Sequence, residues 1–287
     1  MRSVTSYYNK NVVGEWKRLV SNPYCRLELE TTLHFLDKYL PGKGLVLDAG
    51  GGPGRYAIEL ARRKHKVILL DISSASLEFA RRQTNRAGFE GEIETTKGSV
   101  EDLSQFAANR FDSVLCLGPL SHIMTKRERS RAIRELVRVT KRRGILCVSV
   151  IGRLGAIVSH LEHLNEHIAY PFFKKFRDVG DYFGQYRFTA THTFLPEELR
   201  MTFKNQKDLR VLETVGLEGL SSGQEEKVNE LAKNRKLWKA WLDTHYKTCT
   251  NPSVVGMSEH MMISLQKTLI MVNIRKSTQR AGPVAMG

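Results

Sequence analysis

A chain of 287 residues, 41% hydrophobic and 26% charged, is long enough for one large domain with insertions, and its composition excludes a disordered or fibrous polypeptide. Its longest apolar runs, such as "ILCVSVIG", fall far short of a bilayer-spanning helix, and "MRSVTSYYNKNVVGEWKRLV" lacks the apolar core of a secretory signal. No membrane partner and a cytoplasmic location are therefore expected, and four widely spaced cysteines without a CxxC pair suit reduced thiols.

The balance of 45 Lys and Arg against 30 Asp and Glu gives a net charge of +15, which invites nucleic acid as a partner. The basic runs are scattered, however, at 62–66, 126–134, 141–143, 174–177 and 233–236, mostly on helix ends or polar faces. Charge alone thus permits a nucleic-acid partner without favouring one.

In chain order, residues 1–40 read as a helical N-terminal segment, and 41–287 as the main domain. There "GLVLDAG" (44–50) predicts a buried strand, "RYAIELARRK" (55–64) a helix, and "KVILLDI" (66–72) a second strand. A helix follows, from a Ser cap to Gly88, then a weaker strand in "GEIETTKG" and a fourth in "FDSVLCLG" (111–118). The run "KRERSRAIRELVRVTKRRG" predicts a helix closed by Gly144, and "ILCVSVIG" (145–152) a fifth strand. Apolar strands alternating with helices imply an α/β, Rossmann-like fold: a parallel sheet with helices on both faces. Residues 153–192 interrupt that rhythm as a helical insertion without strands, and 222–247 predict a second. Between and after them come a helix at 195–206 and strands at 209–220 and 258–269.

Glycine crowding at "LDAGGGPGRYAIELA" marks the first strand-to-helix turn, where an open parallel sheet binds its ligand. A GxGxxG dinucleotide pattern beginning at Gly50 fails at Arg55. Beginning at Gly52 it closes on Ala57 but leaves "DAG" unexplained. DxGxGxG fits instead, through Asp48, Gly50, Gly52 and Gly54. A pyrophosphate gains nothing from that acid, whereas a ligand carrying an ammonium group does. Asp71, ending the second strand, suits ribose hydroxyls.

On "VLDAGGGPGRYAIELA", "VILLDIS", "KGSVEDL", "FDSVLCLGPLSHI" and "ELVRVTKRRGILCVSV", the chain resembles the class I S-adenosylmethionine-dependent methyltransferases. The resemblance runs over about residues 1–220 and the final strand. It implies a seven-stranded sheet, mostly parallel, with an antiparallel last strand. It also implies S-adenosyl-L-methionine as cofactor, its methionine end at Asp48, Gly50, Gly52 and Gly54 and its ribose at Asp71. Ile72, Leu117 and Tyr8 are further implied contacts. Where the family often reads "GDAEDL", Ser99 replaces the Asp that bonds adenine, shifting that contact toward Val100 or Glu101.

"LGPLSHIM" (117–124) lies where the family places residues beside the reactive methyl, so His122 is the candidate general base. Pocket lining is the alternative reading of that histidine. The N-terminal segment carries Tyr7, Tyr8 and Trp16 as candidate lid contacts, and the first insertion adds Phe172, Phe173, Tyr182, Phe183, Tyr186 and His192. His163 and His167 match HxxEH, with His160 nearby, but the motif is short and lacks an acidic ligand at a telling distance. A histidine face is expected there, and no metal. The expected activity is methyl transfer to an O, N or S atom of a small molecule. The alternatives are an RNA methyltransferase using the basic surface and a noncatalytic cofactor-binding regulator.

Overall fold

The computed structural model describes residues 4–184 and 189–268; Tyr186 lies outside them. The N-terminal segment forms α1 (Val4–Lys10), α2 (Val12–Arg18) and α3 (Pro23–Tyr39). There follow β1 (Leu45–Ala49), α4 (Arg55–Arg62), β2 (Lys66–Asp71), α5 (Ser74–Ala87), β3 (Ile93–Lys97) and β4 (Phe111–Leu117). Next are α6 (Lys126–Val139), β5 (Thr140–Ile151), α7 (Arg153–His163), α8 (Pro171–Val179), and two short strands, β6 (Asp181–Phe183) and β7 (Ala190–His192). The chain closes through α9 (Pro196–Thr202), β8 (Leu209–Gly216), α10 (Glu225–Ala232), α11 (Arg235–Thr248), α12 (Pro252–Met257) and β9 (His260–Lys267). No described helix is long and apolar enough to cross a membrane.

Seven strands make one sheet in the order β3-β2-β1-β4-β5-β9-β8, with β9 antiparallel to both neighbours and the other pairs parallel. Period-two alternation sends neighbouring side chains to opposite faces. Leu47, Ile68, Val114 and Leu146 join a core beneath α6 and α9. Val46, Leu69, Leu115 and Cys147 join one beneath α3, α4 and α5. Both faces are thus dry, which is why the strands read as continuous apolar runs.

Local chemistry sets the helix starts. Asn22 and Ser73 side chains accept from Cys25 N and Ser76 N at the heads of α3 and α5. Thr125 and Glu128 form a reciprocal cap on α6.

Two expectations fail locally. Helix α6 stops at Val139 rather than at Gly144, and "KRR" belongs to β5. The β-branched Val139–Thr140 pair favours extension, and Thr140 Oγ1 donates to Leu136 O at 2.7 Å, satisfying a terminal helix carbonyl. Gly144 is needed for space: a Cβ there would meet Lys141 O at 2.8 Å and Asp112 O at 2.9 Å. The 153–192 segment, expected to lack strands, contains the antiparallel β6–β7 pair, with Asp181 opposite His192. Three residues per strand are too few for a periodic signal.

Candidate active site

The turn between β1 and α4 is shaped by what its glycines leave out. Gly50 sits at φ +83°, and a Cβ on it would lie 2.2 Å from Pro119 Cγ, so the first loop and the loop after β4 can touch only through bare backbone. A Cβ on Gly51 would lie 2.3 Å from Asp48 Oδ2. Gly50 N donates to Leu70 O at 2.6 Å, and Gly52 N to Asp71 Oδ2 at 2.9 Å, so the turn hangs on the end of β2.

Asp48 is 1% exposed, and its Oδ2 is a buried acceptor with no hydrogen-bond partner. Such a group is costly unless something pairs with it. Burial, then the neighbouring Asp71, pushes its carboxyl up to about 7. Asp71 is better served: Oδ1 accepts from Ser73 N at 2.8 Å and Oδ2 from Gly52 N. Burial raises its pKa, and the amides of Ser73, Gly52 and Ile72 work against that rise. Each Asp71 oxygen keeps a lone pair for a ligand hydroxyl.

These groups open on a cavity of about 370 Å³ at the carboxyl ends of the strands. Its walls include Tyr8, Asp48, Gly50, Gly52, Asp71, Ile72, Ser99, Val100, Glu101, Leu117 and His122. Gly54 is outside that lining. At φ +86°, with a would-be Cβ 3.1 Å from both Ala80 and Leu69, it lets α4 pack on α5 and β2. Ser99 Oγ accepts from Glu101 N at 3.2 Å, shaping the turn after β3.

His122 ends a 3-10 turn, Pro119–His122, that follows β4. Its Nδ1 lies 3.2 Å from Ala190 O, a pure acceptor, so Nδ1 carries the proton. Nε2 is then bare and accepts from Tyr8 Oη at 2.7 Å. Burial lowers the His122 pKa, and the Ala190 carbonyl opposes that only in part. The imidazole is therefore neutral, with a basic nitrogen turned toward α1. Asn9 Oδ1 accepts from Ser73 Oγ at 2.7 Å, and the Arg55 guanidinium lies 3.9 Å from the Trp16 ring centroid, fixing α1 and α2 across the cavity.

Beyond Asp48 the cavity is lined by Glu15, Arg18, Glu28, Tyr56, Ser149, Ile151 and His260, which no local motif announces. Glu28 accepts both terminal nitrogens of Arg18, and His260 Nδ1 lies 2.8 Å from Glu218 Oε1 and 3.6 Å from Glu28 Oε2. Burial opposes a charge on His260, but Glu28 and Glu218 outweigh it and raise its pKa to about 9. Glu28, Glu218 and His260 place three ligand atoms within 4.8 Å of one another. With Arg18 bound to Glu28 and a proton between His260 and Glu218, they form an ion network and not a metal-ready donor set.

The His160 and His167 ring centroids of the first insertion lie 5.8 Å apart, but these histidines belong to no three-ligand group among the described residues. Helix α7 ends at His163, so His167 falls in the next turn rather than on the same helix face. His160 Nδ1 bonds Ala156 O at 2.8 Å and its ring packs on Phe173 and Phe176, while His163 lies beside Glu162.

Residues 46–144 match the methyltransferase domain family. The chain is 27% identical over 112 residues to the tRNA 5-carboxymethoxyuridine methyltransferase of Escherichia coli K12, covering 39% of this chain and 42% of that protein. It is 33% identical over 123 residues to the ubiquinone biosynthesis O-methyltransferase of Hahella chejuensis, covering 42% and 49%. The chain thus spans about half or less of the length of these curated relatives. A solved SAM-dependent methyltransferase from Methanosarcina mazei superposes with a TM-score of 0.57 at 20% identity, covering 82% of this chain and 97% of that one, which shows the shared fold. The unpaired Asp48 oxygen and the side-chain-free cradle above it fit an ammonium-bearing ligand. Taken together, residues 46–144 match a methyltransferase domain on a sheet whose fold is shared with a solved SAM-dependent methyltransferase.

Proposed function

We propose that the chain transfers a methyl group from S-adenosylmethionine to an O, N or S atom of a small molecule. The observation that carries this reading is the partial cover that the N-terminal helices and β7 give the cavity. Tyr8 of α1 bonds His122 after β4, His122 bonds the Ala190 carbonyl of β7, and Glu15 and Arg18 of α2 line the same cavity as Leu117. Such a compartment suits a free metabolite better than a nucleotide within a folded RNA.

Asp48 would hold the cofactor's ammonium, Asp71 its ribose hydroxyls, and the turn after β3 its adenine. The cofactor supplies an already activated sulfonium methyl, so orientation and exclusion of water account for much of the rate. His122 is the base for a hydroxyl or ammonium acceptor. Its bare Nε2 takes the proton directly once Tyr8 is displaced, or through the Tyr8 hydroxyl. Burial holds the Tyr8 hydroxyl well above the ordinary phenol range, so Tyr8 passes a proton without remaining ionised.

The +15 charge and the tRNA-modifying relative favour a second reading, in which RNA is the acceptor. Incubation with labelled cofactor separates the two. Label is expected in the small-molecule fraction and not in bulk tRNA, with RNA binding weak, indifferent to sequence and lost as salt rises. Stoichiometric methylation of tRNA overturns the small-molecule reading. Cofactor binding without transfer to either pool favours a noncatalytic binder.

Asp48 makes cofactor binding depend on pH. In the free chain its carboxyl titrates near 7. An ammonium partner stabilises the ionised form, so binding at acid pH must release a proton. Affinity is expected to fall by up to about tenfold per pH unit below that value. Calorimetry in buffers of different ionisation enthalpy measures the proton. Affinity that is flat across this range, without proton release, contradicts the role given to Asp48.

A further inference from the structure

The ion network on the cavity wall is unused by the chemistry above, yet it is built from four elements. Glu28 comes from α3, Arg18 from α2, His260 from the start of β9, and Glu218 from the turn after β8. Its carboxylates are occupied. Glu218 Oε2 accepts from Ser258 Oγ at 2.9 Å and from His260 N at 2.8 Å, while Oε1 holds His260 Nδ1. Glu28 is clasped by Arg18, and Glu15 Oε2 lies 3.3 Å from Arg18 Nε.

The cations are only partly occupied. A guanidinium has five N–H groups. Arg18 directs Nε at Glu15 and one N–H from each terminal nitrogen at Glu28, leaving two, and its side chain is 44% exposed where it lines the cavity. His260 has its Nδ1 pinned between two carboxylates. Its Nε2 has no partner among the described residues, and its side chain is 25% exposed along the same wall. Held as an imidazolium by Glu28 and Glu218, it presents Nε2–H as a donor.

We infer that Arg18 and His260 form a specificity site for the carboxylate of a small carboxylic-acid substrate, held at the end of the cavity away from the cofactor's adenine. This rests on the methyl-transfer reading above, which it deepens. Spare N–H groups on two cations give charge-assisted hydrogen bonds, shorter and stronger than those to a neutral oxygen. Glu15, 21% exposed on the same wall, is the group that would instead attract an ammonium ligand. Arg18 already engages it, which leaves the spare donors of Arg18 and His260 as unpaired polar groups of that wall.

The test is ligand-observed NMR with propionate, propionamide and propylammonium, on the chain alone and saturated with S-adenosylhomocysteine. Propionate is expected to bind about tenfold or more tightly than the other two. His260→Gln should abolish that preference while affinity for S-adenosylhomocysteine stays within about twofold, because His260 lies outside the groups assigned to the cofactor. Removing a cation from between two buried carboxylates can disturb folding. Glu218→Gln/His260→Gln therefore provides a neutral, hydrogen-bonded second variant, checked by thermal melting. Equal binding of propionate and propionamide, a preference for propylammonium, or a propionate preference that survives in the folded double variant overturns the inference. Failure of S-adenosylhomocysteine to bind, by contrast, overturns the methyl-transfer reading, and the probe preference on the chain alone still decides this one.

Discussion

Replacing His122 by Ala is expected to lower turnover by about 10²–10⁴ while cofactor affinity changes no more than a few-fold. The reason is positional. His122 follows a rigid turn in which Gly50 and Pro119 touch, its Nδ1 is committed to Ala190 O, and its Nε2 is the unprotonated nitrogen, on a ring that lines the cavity. The pH profile carries the sign. Burial lowers the His122 pKa, so at saturating cofactor the wild-type turnover should hold through the ordinary histidine range and fall only at more acid pH. There the wild-type base is itself protonated, so the deficit of the variant must shrink as pH drops and be largest on the alkaline plateau. Steady-state kinetics across that range measure it. A variant within about threefold of wild type at every pH leaves His122 as pocket lining.

The second large effect is expected from the smallest change. Gly51→Ala adds one methyl whose carbon would fall 2.3 Å from Asp48 Oδ2 and 2.5 Å from Asp48 Cγ. Unlike Gly50, Gly52 and Gly54, Gly51 does not sit at positive φ, so alanine fits its backbone and the whole cost is steric. Asp48 is itself buried, so its carboxylate must swing out of its present position on the cavity wall to admit the methyl. Overpacking of this kind costs about 1–3 kcal/mol of stability. Losing a charge-assisted hydrogen bond costs about 1.5–3 kcal/mol, so cofactor affinity should fall by about 10–150-fold. Gly51→Ala/Asp48→Ala should recover stability without recovering affinity. Chemical denaturation and calorimetry read the two quantities separately. Undiminished cofactor binding by Gly51→Ala removes Asp48 from the site.

Much of this was legible in the residues. The strand-helix rhythm reads out the sheet because both faces are buried, so apolar runs mark strands directly. Asp48, Gly50, Gly52, Asp71 and His122 are local signals at strand ends, and the fold gathers them around one cavity. Gly54 carried the same signal for a different reason, helix packing. Gly51 stood in plain view within "GGG", but its need for space depends on where the Asp48 carboxylate points, which spacing does not encode.

Arg18, Glu28 and His260 were invisible for another reason. They are 10 and 232 residues apart in sequence and meet only because β9 runs antiparallel beside β5 with its first residue opposite Ile151. The β5 boundary is not legible locally because "KRRG" looks like a helix end, whereas Val139–Thr140 already turns the chain.

Titration calorimetry of the purified chain with S-adenosylmethionine tests the central claim most directly, with NAD as the comparison ligand. One site per chain is expected for S-adenosylmethionine, weakened by Asp48→Asn and by acid pH, with no binding of NAD. Binding of NAD in its place, or S-adenosylmethionine affinity unchanged by Asp48→Asn, contradicts the assignment of the glycine turn and its buried acid to a sulfonium cofactor.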